Sequence, residues 1–202
     1  MSINIINRAL IKLGQPLISS TSQEPNGKIY GIVYQDIKDL LLASHNWRFA
    51  IKTVILTKDQ EEPISSFAYA YTLPSDFIAL YRFGQYFKTP NYSDNIQASD
   101  ERYSIEGNKI LCDEKNQLYI SYVAKVDDPN KFTPWFREAL ISKLAAEFSV
   151  RVKQSASLAK SFNEEFIACL EQAEKHDELM TDTQTMPDGS WVGAREGWTN
   201  EY

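Results

Sequence analysis

Cysteine and histidine are scarce in this 202-residue chain, which has two of each: Cys112, Cys169, His45 and His176. Two distant cysteines exclude a disulfide framework and favour assembly in a reducing cytosol. Both read as small core residues. The histidines stand 131 positions apart, and neither CxxC nor HExxH occurs, so no metal centre is expected. The eight glycines are scattered and form neither GxGxxG nor GxxxxGK[ST]. That leaves no phosphate-cradling loop, and without a GxSxG elbow no nucleophile is marked. No cofactor is expected. No apolar run approaches the ~18 residues of a membrane-crossing helix. The first residues lack a basic stretch followed by an apolar one, so neither a membrane partner nor a secretory signal is expected.

A basic excess is missing too. Residues 1–162 carry 19 basic and 17 acidic side chains, whereas residues 163–202 carry 2 and 10. A duplex-binding protein would show a basic stripe matched to several phosphates. A nearly neutral body with an acidic end argues against tight nucleic-acid binding. At 43% apolar and 12% aromatic, the chain is nonetheless rich enough in core formers to fold.

What is present is a change of period along the chain. Ser2 is placed to cap a helix in which Ile3, Ile6, Leu10 and Leu13 recur at three- and four-residue steps, before Gly14 and Pro16 stop it. After a polar turn-rich stretch, a second helix is expected from about Lys28 to His45. Ile29, Val33, Ile37, Leu40, Leu41 and Ser44 form its inner face, with Gln35, Asp36, Lys38 and Asp39 away from it. Residues 49–130 then read as five or six short strands. The clearest are the two flanking Gly107-Asn108, a pair suited to a primed hairpin turn. Helical period returns at Thr133-Pro134, an N-cap followed by proline at the first helical position. A fourth helix starts near Ser155 or Ser157 and loses its period beyond His176.

Two one-faced helices before the strands and two after them predict an α+β chain: a four-helix bundle with a β-rich insertion between helices two and three and an irregular C-terminal tail. The implied division is residues 1–48 and 131–180 as a discontinuous helical bundle, 49–130 as the inserted β-rich part and 181–202 as the tail. Trp47 and Trp135 are expected to seal the junction between bundle and strands. Trp191 and Trp198 cannot bury their indoles within so short and polar a tail, and each ring covers ~150–250 Å². Docking on a partner is the expected outcome, with Trp191, Arg195, Trp198 and Tyr202 as anchors. Among the acids, Asp76 and Glu106 are the least arbitrary candidates for a two-carboxylate hydrolase. The plainer reading has Asp76 serving backbone amides after Pro74 and Glu106 flanking a turn.

Three segments carry a resemblance. Ile5-Ile6-Asn7-Arg8-Ala9-Leu10-Ile11-Lys12-Leu13-Gly14-Gln15-Pro16-Leu17-Ile18-Ser19 is similar to the opening of the tail tubular protein A family, the head–tail adaptors of short-tailed bacteriophages. Leu40 to Ala50 resembles that family's helix ending in a Trp-x-Phe-Ala step, here Trp47-Arg48-Phe49-Ala50. Tyr71-Thr72-Leu73-Pro74-Ser75-Asp76-Phe77 resembles its Tyr-x-Leu-Pro-x-Asp turn. The likeness spans about residues 3–175 and leaves the tail unaligned.

The resemblance implies a structural virion component rather than an enzyme, located in the phage neck and assembled in the host bacterial cytoplasm. Its implied partners are the portal protein, the tail nozzle protein and other copies of itself in a twelve-subunit ring, with double-stranded DNA passing through without tight binding. Glu164, Glu165, Glu171 and Glu174 on helix four are candidates to line such a lumen, where an acidic wall repels DNA phosphates. The alternative is a virion-associated polysaccharide or peptidoglycan hydrolase on the same scaffold. A third is a small partner-binding module unrelated to phage.

Overall fold

The computed structural model describes residues 2–23, 25–84, 102–113 and 117–180. Four helices, α1 (Ser2–Lys12), α2 (Pro25–Ser44), α3 (Pro134–Phe148) and α4 (Ala156–Leu179), flank six strands. The strands are β1 (Ile51–Leu56), β2 (Tyr69–Thr72), β3 (Phe77–Phe83), β4 (Tyr103–Glu106), β5 (Lys109–Cys112) and β6 (Leu118–Ala124). Among the described residues, no helix is long and apolar enough to cross a membrane.

Local chemistry accounts for the helix ends. Gly14, at φ +61°, closes α1: its N–H bonds the Ile11 carbonyl at 2.9 Å, and the Gln15 N–H reaches back to Leu10 at 3.0 Å. These two bonds satisfy carbonyls that the helix end leaves open. The Asn7 amide then folds the following segment back onto α1, exchanging two 3.0 Å bonds with the backbone N–H and carbonyl of Ile18. Thr133 caps α3 through the Phe136 N–H, and Ser155 caps α4 through the Leu158 N–H. Between them α3 does not run on to Val152 as its period suggests. It passes into a π-helical turn, Ser149–Lys153, which ends at Gln154 with φ +48°.

The expected bundle with a single β insertion is overturned. The six strands form two three-stranded antiparallel sheets, ordered β1-β6-β3 and β2-β5-β4. The first sheet is a layer of the helical core rather than an appendage. Val123 of β6 and the nearby Val126 are buried in one cluster with Ile6, Leu10, Leu41, Trp47, Phe136 and Leu144. Two register shifts in β3 explain how one sheet serves two cores. A bulge turns successive side chains out of strict alternation, so Ile78 and Ala79 pack toward the helices while Phe77, Leu80 and Phe83 pack toward the second sheet. Between the sheets lies a second cluster of Tyr71, Ile110, Cys112, Leu118, Ile120 and Tyr122. Helix α3 is the hub of the helical layer, touching all three other helices.

Helix α2 departs from its expected polarity. Lys38 is fully buried, while Ile32 and Leu40 stand 63% and 64% exposed. Trp47 is fully buried as expected, but Trp135 is 39% exposed and stacks on the His176 ring, so it does not seal the sheet junction. Cys112 is a core residue and Cys169 is half-buried, its thiol pushed up by burial.

Candidate functional site

Three polar joints hold the helices and sheets together, and each contains a buried or partly buried charge. At the first, the carboxylate of Asp177, 2% exposed, accepts the Arg48 backbone N–H at 3.0 and 3.1 Å and lies 3.5 Å from His45 Nε2. This pins the last turns of α4 to the short 3₁₀ helix Arg48–Ala50 that leads into β1. Trp47 completes the joint, its Nε1 donating to the Leu41 carbonyl at 2.7 Å and its ring meeting Phe136 edge-on.

At the second joint, Asp76 on the turn between β2 and β3 ion-pairs with Lys52 and accepts the Tyr122 hydroxyl at 2.8 Å. The Lys52 contact, aided by the tyrosine, holds the Asp76 carboxyl below its ordinary value. Burial, reinforced by the aspartate, pushes Tyr122 up to about 12. The expectation that Asp76 serves backbone amides holds only as the least contribution, from its own N–H, because the carboxylate is taken up chiefly by the Lys52 and Tyr122 side chains.

At the third joint, Lys38 pairs with Asp127, just beyond β6, and lies 3.5 Å from Asp39, while Lys125 pairs with Asp39 at 2.8 Å. Lys38 keeps the Asp127 carboxyl low. Beside them the phenol of Tyr34 is pushed up to about 12, mainly by burial and further by the two aspartates.

The two acids considered for hydrolysis are not gathered. Glu106 lines a cavity of about 170 Å³ with Glu61, Glu62 and Lys109, whereas Asp76 is not among its lining residues. The lysine there is committed to Asp59 at 2.8 Å, which lowers the Asp59 carboxyl. Among the described residues, no group of three or more His, Cys, Asp or Glu is arranged to hold a metal ion.

The acidic residues of α4 are placed unequally. Glu164 and Glu171 are exposed, Glu174 is half-buried, and Glu165 is tied to Lys12 of α1 and to the Ser142 hydroxyl of α3. Trp191, Arg195, Trp198 and Tyr202 lie outside the described residues. Lys38, Asp127 and Asp177 were missed by the sequence reading. For Lys38 a signal existed: it lies one turn after Tyr34 and one turn before Leu42, both buried.

No family model matches this sequence, and no curated protein sequence matches it either.

Proposed function

We propose that the chain is a head–tail adaptor subunit that assembles with other copies into a ring between a portal and a tail nozzle, through which DNA passes. The observation that carries this reading is the outward face of α2. A helix that buries Lys38 and leaves Ile32 and Leu40 in water has an outer face better suited to contact than to solvent. Exposed apolar side chains recur on α1 at Ile11, in the following segment at Leu17 and on α4 at Ile167. A ring subunit needs two unlike contact surfaces, because its lateral contact is head-to-tail.

The resemblance gives this contact surface its context. Two of the segments that carry it are closed by an internal polar contact, Asn7 with Ile18 and Trp47 with Leu41, and the third is held by Asp76 to Tyr122 of β6. These are residues a scaffold needs, which supports reading the segments as structural signatures. Glu164 and Glu171, exposed and seven residues apart on α4, supply the charge a DNA conduit calls for. Trp191, Arg195, Trp198 and Tyr202 anchor the tail on the portal in this proposal. Several weak tails on one ring gain strength by avidity.

The deciding experiment is the native mass of the purified chain, alone and mixed with a portal protein from the same genome. A defined ring complex supports the adaptor. A chain that stays monomeric with the portal present overturns it. Truncation before Asp182 is expected to abolish portal binding while leaving the melting temperature unchanged, and normal binding by the truncated chain would remove the tail from the proposal.

A further inference from the structure

Four strand edges border the two sheets, and they are not treated alike. The outer edge of β2 is covered by its own chain: Lys58 bridges to Tyr71, and the Asp59 N–H bonds the Ala70 carbonyl at 2.9 Å. The outer strand β3 is broken by its two register shifts. Covering and bulging are the usual ways of blunting an edge against another chain. Among the described residues, strands β1 and β4 show neither. Among the described residues β1 pairs only with β6 and β4 only with β5, both in unbroken register and with no proline in Ile51–Leu56 or Tyr103–Glu106.

The bare edges also carry apolar side chains in water. Ile55 of β1 is 51% exposed, and Tyr103 and Ile105 of β4 are 46% and 41% exposed. Among the described residues each strand therefore offers unpaired backbone groups beside apolar surface, the combination that strand addition uses. They border different sheets, so one protomer presents two unlike edges, which is what a head-to-tail ring requires.

We propose that β1 of one protomer adds antiparallel to β4 of a second copy, with Ile55 opposite Tyr103 and Thr53 opposite Ile105. This rests on the ring reading and adds a strand pairing to the lateral contact in which the outward face of α2 takes part. Charge agrees with this direction, with Lys52 at the same time holding Asp76 of its own chain. In the antiparallel register Lys52 falls opposite Glu106, and the exposed apolar residues share one face. In a parallel register that aligns Thr53 with Tyr103, Lys52 falls beside Arg102, and like charges directly opposite are unfavourable.

The test is disulfide trapping in the full chain, with Cys169→Ser in every variant. The Thr53→Cys/Ile105→Cys protein is expected to give a ladder of covalent oligomers on oxidation. A mixture of the two single variants should stop at dimers, and each single variant alone should give none. The Ile55→Cys/Tyr103→Cys protein should reproduce the ladder, while Thr53→Cys/Tyr103→Cys, two residues out of register, should not. A disulfide needs Cα atoms within ~7 Å, so the pattern reads the register directly. If native mass shows the ring, alone or with portal, and neither matched pair links, the strand pairing is wrong and the adaptor stands. Linking by a single variant alone points to β1–β1 or β4–β4 pairing and overturns the proposal. No ring under either condition overturns both.

Discussion

Lys38 and Asp127 form an ion pair across the α2–β6 junction in which the lysine side chain is 1% exposed and the carboxylate 73% exposed. The lysine is buried along its whole length, and its ammonium is met there by the carboxylate of Asp127, which reaches in from the exposed side. Asp127 keeps most of its hydration, so losing the cation strands only Asp39 Oδ1, a buried oxygen 3.5 Å from the ammonium. Lys38→Met should therefore cost ~1–2 kcal/mol, since methionine refills the stem's volume but leaves that oxygen without its cation. Lys38→Ala should cost ~2–4 kcal/mol through the cavity it opens. Urea unfolding of both variants checks the ordering, and equal losses would mean that charge rather than packing dominates.

Two glycines in α2 should respond oppositely to alanine. A Cβ at Gly27 would stand 2.2 Å from the Ser20 carbonyl oxygen, a backbone atom with no easy retreat. At Gly31 the nearest atom is the Thr21 Cβ at 3.5 Å, an ordinary contact. Gly27→Ala is expected to destabilise by ~1–3 kcal/mol through overpacking. Gly31→Ala should stabilise by up to ~1 kcal/mol, because alanine is the better helix former. For a chain of this length each kcal/mol moves the melting temperature by ~2–4 °C, so thermal melts resolve both signs.

The joint at Asp76 gives a pH dependence with a definite sign. Its folded-state value is depressed by Lys52 and Tyr122, and those of Asp127 and Asp59 are depressed by Lys38 and Lys109. A depressed carboxylate contributes stability that is complete above the unfolded value near ~4 and is lost as pH falls through the folded value. Stability should thus decline on acidification below that range. Asp76→Asn should flatten the decline and cost ~1–2 kcal/mol at neutral pH, the charged hydrogen bonds being discounted for partial exposure. Denaturant midpoints from pH 2.5 to 7 test this. An unchanged slope in the variant would show that Asp76 is not a source of it.

Much of the local structure was legible because its causes are local. Gly107-Asn108 turns β4 into β5 with Gly107 at φ +60°, and Thr133-Pro134 begins α3, both as their turn and cap chemistry requires. The division into two sheets was not legible. Period-two alternation tells which face of a strand is apolar but not which strand lies beside it. Here β6, last in sequence, lies between β1 and β3, a pairing fixed by packing between distant segments. Nor does one helical period reveal that a lysine will occupy an inner position, since the stem pays for its place by packing and the charge by pairing with Asp127. Of the candidate site, the exposed acids Glu164 and Glu171 followed from helix four's polar face. The link from Glu165 to Lys12 needed α1 and α4 to be brought together on α3.

The outward face of α2 separates folding from assembly, which makes the adaptor reading testable at one residue. Leu40 is 64% exposed, so Leu40→Lys removes little buried area and should change stability by less than ~0.5 kcal/mol. If that face is a lateral contact, the same substitution places an uncompensated charge in an apolar interface. The assembled mass should then fall toward the monomer while the melting temperature holds. Ile167→Lys on α4 tests whether the second exposed position belongs to the same contact. If only Leu40→Lys disperses the ring, the contact runs over α2. If neither does so at full occupancy of the native ring, the exposed residues are not its lateral surface, and α2 does not support ring assembly.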